Sequence, residues 1–113
     1  MNLEMIGINH QTSELEIREK AAIEPEKFPE TYKNILKISE IDGATIVSTC
    51  NRVEIYISPQ IHFPEEKLRE LFGNICDIPP EETAKAYIYR DDKAARHLFE
   101  VASGLNSRMI GEV

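Results

Sequence analysis

Cysteine is scarce in this chain. Two occur in 113 residues, Cys50 and Cys76, with no CxxC pair and no histidine at zinc-ligand spacing. Neither a disulfide framework nor a structural metal is indicated, so both thiols are expected to be free. Long apolar runs are missing as well. Nothing approaches the roughly 18 residues that a membrane-spanning helix needs. The amino-terminal MNLEMIGINH has no basic stretch followed by an apolar one. The expected location is therefore the cytoplasm, with no membrane partner. A basic surplus is also lacking: 13 Lys and Arg against 20 Asp and Glu leave a formal net charge of -7. A grip on nucleic acid over the whole surface is disfavoured, because phosphate binding relies on clustered cations. Any such contact must be local or supplied elsewhere. No GxGxxG occurs, so the fingerprint of a dinucleotide-binding turn is missing. Internal repeats and low-complexity stretches are absent too.

What remains is a chain with 42% hydrophobic and 29% charged residues, sized for one domain with a small core. The apolar stretch from Leu3 to Asn9 reads as a first strand. Ser13 with Glu16 three residues on fits a capping box for a short helix ending near Ala22. Pro25 opens a second helix with Phe28, Tyr32, Ile35 and Leu36 on one face. Two strands follow, at about 44–49 and 53–58, and Pro64 opens a helix striped by Leu68, Leu71, Phe72 and Ile75. After Pro79-Pro80, residues 86–89 read as a fourth strand. Asp91 suits the N-cap of a last helix carrying Ala95, Leu98, Phe99 and Ala102 on one face, which Gly104 ends. This order predicts an α+β fold, a ferredoxin-like sandwich with a four-stranded, mainly antiparallel sheet and helices packed on one face. Met109-Ile110 has no later element to pack against, so the chain is expected to be the front piece of a longer protein.

Between the two middle strands, where a hairpin ordinarily has Asn-Gly, stands Ser48-Thr49-Cys50-Asn51-Arg52. A cysteine ending a buried strand as the chain turns can present its sulfur at the rim of the sheet. The Arg52 charge would favour the nucleophilic thiolate, and the hydroxyls of Ser48 and Thr49 could hold a carbonyl or the sulfur. On the residues alone, a cysteine ending a strand is more often a small buried hydrophobe than a nucleophile, and that reading stays open for Cys50. His97 lies off the expected apolar stripe and reads as a partly buried, hydrogen-bonded histidine. Glu54 faces away from Val53 and Ile55, either bracing Arg52 or a pocket group, or solvated. His10 reads as a turn residue satisfying backbone groups, and Cys76 as inert.

Four blocks carry a resemblance: GINHQT at 7–12, REKA at 18–21, STCNRVEIY at 48–56, and HLFEVASGLNS at 97–107 continuing to Gly111-Glu112. Together, and in this order, they resemble the N-terminal catalytic domain of glutamyl-tRNA reductases. The resemblance implies that glutamyl-tRNA is the substrate and that NADPH reduces it to glutamate-1-semialdehyde, the first step of tetrapyrrole synthesis. It implies a thioester on Cys50, and Thr49, Asn51, Arg52, Ser107 and Glu112 in or near the substrate pocket. Arg52 is the candidate for the glutamate carboxylate, since its planar fork of donors matches one. His97 is implied near Cys50, orienting the thiol, acting as a base or protonating the departing ribose oxygen. Val113 stands where the family usually has proline. Residues 1–113 would thus be the catalytic domain, with the NADPH-binding domain and a C-terminal domain that forms the homodimer lying outside this chain. The rival readings are a ferredoxin-like regulatory or protein-binding module with Cys50 in its core, and a cysteine enzyme acting on another activated ester.

Overall fold

The structure, a computed structural model, describes residues 2–104 and 110–112, the last three as backbone. Strand β1 (Glu4–Asn9) lies inside the sheet, antiparallel both to β3 (Arg52–Pro59) and to β4 (Tyr87–Arg90). Strand β2 (Ile41–Ser48) pairs antiparallel with the other side of β3. Two helices, α1 (Leu15–Ala21) and α2 (Phe28–Leu36), with a single 3-10 turn at Pro25–Lys27 between them, connect β1 to β2. Helices α3 (Glu65–Cys76) and α4 (Pro80–Thr83) connect β3 to β4. The strand order β4-β1-β3-β2 is the expected ferredoxin-like arrangement, with helices on one face. No helix among the described residues is long and apolar enough to cross a membrane.

Alternation along the strands builds the main core. Ile6 and Ile8 of β1, Ile46 of β2 and Val53, Ile55 and Ile57 of β3 all point one way. Against them lie Phe28, Tyr32 and Ile35 of α2 and Leu68, Leu71, Phe72 and Cys76 of α3. The two helical stripes therefore pack as their spacing predicts. Each fully buried side chain of this size contributes about 1.5–3 kcal/mol.

The expected last helix lies on the other face of the sheet, and the structure adds one strand. Helix α5 (Asp91–Ser103) crosses the opposite face, where Ala94 joins Met5, Val47 and Tyr56 in a second apolar cluster flanked by Leu98 and Val101. Strand β5 (Ile110–Glu112) extends the sheet beside β2, so Ile110 does have an element to pair with. Two capping expectations give way to tertiary contacts. The Ser13 hydroxyl donates to the Asn9 carbonyl at 3.2 Å, and the N-cap of α1 is Glu14, without a side-chain cap. Asp91 sits inside the start of α5 at φ 54°, its carboxylate accepting from the Leu3 N–H at 3.2 Å. Its own N–H donates to the Leu3 carbonyl at 2.6 Å, so the residue stitches the β4–α5 junction to β1.

Gly7 positions the site described next. It pairs with Glu54 across β1 and β3, and a Cβ there would lie 2.6 Å from the Glu54 Cγ. Only a residue without a side chain lets the Glu54 carboxylate fold back over β1.

Candidate functional site

The hairpin between β2 and β3 closes without glycine. The Thr49 N–H donates to the Arg52 carbonyl at 2.8 Å, and the Thr49 hydroxyl oxygen accepts from the N–H groups of Asn51 at 3.1 Å and Arg52 at 3.2 Å. A threonine side chain thus does the work usually left to Asn-Gly, and neither Cys50 nor Asn51 needs a positive φ. Cys50 is exposed at the tip of this turn, which removes the reading of it as a packed core residue.

Helix α1 holds the turn from the side. Arg18 donates through Nε to the Cys50 carbonyl at 3.2 Å and through Nη1 to the Ser13 carbonyl at 2.6 Å. The Ile23 N–H donates to the Ser48 hydroxyl at 2.9 Å. Ser48 and Thr49 are therefore both engaged as acceptors, and each hydroxyl keeps a proton of its own to donate. The sulfur is carried on backbone that is tied down on both sides.

A cleft opens on each side of the turn. The larger, about 610 Å³, lies toward α1 and includes Cys50, Ser48, Thr49 and Arg18 in its wall. The smaller, about 250 Å³, lies toward the end of α5 and is lined by His10, Thr49, Asn51, Arg52, Glu100 and Gly104, among others. Thr49, Asn51 and Arg52 line the small cleft together, Cys50 lines the larger one, and Thr49 belongs to both. His10 joins the small cleft. The turn that His10 occupies is satisfied instead by Asn9, Thr12 and Ser13.

Behind Arg52 lies a buried carboxylate. Glu54 is fully buried, and its Oε2 accepts from Arg52 Nη1 at 3.3 Å and from the Tyr87 hydroxyl, and lies 2.7 Å from His97 Nε2. Its Oε1 accepts from the Tyr56 hydroxyl at 2.7 Å. A charge out of water is tolerated only when donors surround it. Burial, and then the Glu54 charge, push the Tyr56 and Tyr87 hydroxyls well above the ordinary phenol range, so both remain donors. Of the readings of Glu54, the solvated carboxylate is excluded, and the brace for Arg52 is present, shared with His97.

His97 stands on α5 with its ring edge-on to Tyr87 and Tyr89 and its hydrogen bond on Glu54. Among the described residues it makes no hydrogen bond to Cys50. Ser107 lies outside the described residues. Glu112 enters only through its backbone in β5, opposite Thr45. Sequence reasoning gave no role to Arg18, Tyr56 or Tyr87. The period-2 alternation that turned Glu54 away from Val53 also turns Tyr56 to the same side, and that signal was readable.

The second thiol is different in kind. Cys76 is buried in the main core, and burial pushes its pKa up to about 12. At pH 8 only about one Cys76 in ten thousand would be thiolate. Iodoacetamide at that pH is expected to alkylate the native protein once, at Cys50, and twice after unfolding, as read by intact mass. Two equivalents taken up by the native protein at similar rates would contradict this assignment.

The chain matches the family model described as glutamyl-tRNAGlu reductase, N-terminal domain, over residues 6–113. It is 39% identical over 108 residues to a glutamyl-tRNA reductase of Pseudomonas savastanoi pv. phaseolicola, covering 95% of this chain and 25% of that protein. To one of Geobacter metallireducens it is 38% identical over 114 residues, covering 99% and 26%. A solved glutamyl-tRNA reductase from Methanopyrus kandleri superposes with a TM-score of 0.63 at 32% identity, covering 91% of this chain and 22% of that one. The chain spans about a quarter of the length of the curated relatives it matches.

Proposed function

The chain belongs to the glutamyl-tRNA reductase N-terminal domain family, and on that premise we propose that it performs the acyl-transfer half of glutamyl-tRNA reduction. The observation that supports this most is an exposed thiol on a fixed turn, flanked by two clefts, with a guanidinium two residues on. The Cys50 thiolate attacks the aminoacyl carbonyl carbon. The carbon–oxygen bond to the terminal ribose breaks, the ribose oxygen takes up a proton, and a glutamyl thioester remains on the sulfur. Thr49 and Ser48, each with a hydroxyl proton still to give, are placed to polarise that carbonyl.

Arg52 receives the side-chain carboxylate of the glutamyl group in the small cleft. One of its N–H groups is spent on Glu54, and the rest of the fork stays available for a bidentate pair. Asn51 lines the same space, and Ser107 and Glu112 keep the pocket positions that the resemblance implies. His97 works through Glu54. Sharing one carboxylate oxygen with Arg52, it fixes where the guanidinium points and acts as a positioning residue.

The chain's own residues do not fit a nicotinamide dinucleotide. No GxGxxG turn occurs in the sequence, and among the described residues the larger cleft has no glycine in its wall. When bound elsewhere in a whole reductase, NADPH supplies the hydride that turns the thioester into glutamate-1-semialdehyde. This chain by itself stops at the thioester or lets water hydrolyse it. Dimerisation and most of the tRNA grip likewise belong to residues outside it, in keeping with the net charge of -7.

Incubation with glutamyl-tRNA is the direct test. Intact mass should show one glutamyl adduct, mapped to Cys50 by digestion and discharged by hydroxylamine. Glutaminyl-tRNA, whose neutral amide cannot pair with Arg52, should label at least about tenfold more slowly. In an Arg52→Lys variant that preference should shrink while the adduct still forms. Equal labelling by both aminoacyl esters in the unaltered protein would sink the assignment of Arg52.

A further inference from the structure

The small cleft carries more charge than a carboxylate site requires. Beside the guanidinium of Arg52, its wall includes Glu100 of α5, the one carboxylate there among the described residues. Glutamate esterified at its α-carbonyl keeps two charged groups, the side-chain carboxylate and the ammonium on the α-carbon. If the first goes to Arg52, as proposed above, the second needs an acceptor. We propose that Glu100 recognises the α-ammonium of the glutamyl group and rejects acyl chains that lack it.

No contact within the fold accounts for a carboxylate at this position. Among the described residues the Glu100 side chain has neither a hydrogen bond nor an ion pair, and its backbone carbonyl accepts from the Ser103 hydroxyl at 2.9 Å. Arg96 stands four residues earlier on the same helix, where a surface pair could form, yet none joins the two. The position is also unfavourable for the helix. Glu100 lies in the last turn of α5, which carries no basic residue, and that end is the negative pole of the helix dipole. A ligand ammonium in the cleft would offset both.

Helix α5 is held so that Glu100 stays at the cleft. His97, one turn earlier, anchors the helix on Glu54, and Glu54 also braces Arg52. Val101 packs against the second apolar cluster right beside Glu100. One buried carboxylate thus sets the place of both charged groups that face the substrate. A space of about 250 Å³ with a cation and an anion in its wall suits a short zwitterion. A chain of the same length bearing only a carboxylate gains Arg52 but meets Glu100 unpaired, so rejection comes with recognition. Holding the ammonium next to the reacting carbonyl, and the carboxylate at the far end, leaves that carbonyl fewer orientations toward Cys50.

Two unreactive amides test this without chemistry at the thiol: isoglutamine, which is glutamate 1-amide, and glutaramate, the same chain without the amine. At pH 7 most isoglutamine carries the ammonium, because α-amino groups titrate at about 7.7–8.0. Dissociation constants are read from the amide NMR shifts of Thr49, Asn51 and Arg52. The unaltered protein is expected to bind isoglutamine at least about tenfold more tightly than glutaramate. In Glu100→Gln isoglutamine should weaken by about tenfold while glutaramate holds or tightens. A general defect of the fold would weaken both. Glu66→Gln, on α3 across the sheet, makes the same change of net charge and should alter neither constant. In acylation, glutamyl-tRNA should label Cys50 faster than 2-hydroxyglutaryl-tRNA, and Glu100→Gln should narrow that ratio. The assignment is overturned by an isoglutamine preference that is absent from the unaltered protein, kept by Glu100→Gln, or lost equally in Glu66→Gln. Binding of neither amide at the cleft overturns it as well. Should neither tRNA label Cys50, the acyl-transfer reading itself fails, and the isoglutamine preference alone decides the role of Glu100.

Discussion

Replacement of Cys50 by Ser is expected to reduce formation of the glutamyl adduct by about a thousandfold or more while leaving the melting temperature within about a degree. The two halves of this expectation come from different parts of the structure. Chemistry is lost because a serine hydroxyl has almost no alkoxide at neutral pH, and among the described residues no histidine is hydrogen-bonded to Cys50 to activate it. Its product would also be an oxygen ester no more activated than the substrate. A thioester carbonyl gains little resonance from sulfur and so accepts hydride more readily, which under the proposed function favours sulfur at this turn. Stability is kept because the turn is held by the Thr49 hydroxyl and by Arg18 on the Cys50 carbonyl, and the thiol itself is exposed. Intact-mass rates and thermal melting on the same samples check both. A serine variant that labels at the rate of the unaltered protein would remove Cys50 from the mechanism.

The strands and the first helices were legible because each has one apolar face and a clear stop. Phe28, Tyr32 and Ile35 are buried as their spacing implies, and so are Leu68, Leu71 and Phe72. Helix α5 was misread. Its apolar residues suggest a stripe through Ala95, Leu98, Phe99 and Ala102, yet Ala94, Leu98 and Val101 face the sheet and Phe99 is 78% exposed. The face is rotated by about one residue, roughly 100°. Periodicity counts apolar side chains, and here a polar one, His97, occupies a sheet-facing position to reach Glu54. The same buried carboxylate explains why the site was only half legible. Thr49, Cys50, Asn51 and Arg52 are neighbours in sequence, so a local motif shows them. Glu54 meets His97 and Tyr87 from 43 and 33 residues away, a convergence that depends on α5 and β4 lying over the same face. The caps failed for a related reason, because Ser13 and Asp91 are claimed by partners in other elements.

That convergence carries the largest effect on stability. Glu54→Gln keeps the shape and removes the charge. The single amide oxygen can still accept from a tyrosine, but the amide nitrogen cannot accept from Arg52 or Tyr87. Breaking a buried charged network from one side costs about 3–5 kcal/mol, against a total stability of about 5–15 kcal/mol for a domain of this kind. The melting temperature should fall by about 10–25 °C. Glu54→Leu should be no better, because it strands Arg52, His97, Tyr56 and Tyr87 together.

A second readout separates this network from a generic core defect. Burial, and next the Glu54 charge, hold the Tyr56 and Tyr87 hydroxyls above the unfolded value near pH 10. A group whose folded pKa is raised contributes stability that is complete below the unfolded value and is lost as pH rises beyond it. The unaltered protein should therefore weaken in urea above about pH 10. In Glu54→Gln that alkaline loss should level off at a lower pH and be smaller in total, since one of its causes is gone, although the variant is weaker at pH 7. The Gln variant should also lose selection of glutamyl over glutaminyl ester before it loses the ability to form an adduct, because Arg52 is released from its brace while Cys50 is held independently. A variant that melts normally and keeps full selectivity would show that Arg52 is oriented by something other than the buried carboxylate behind it.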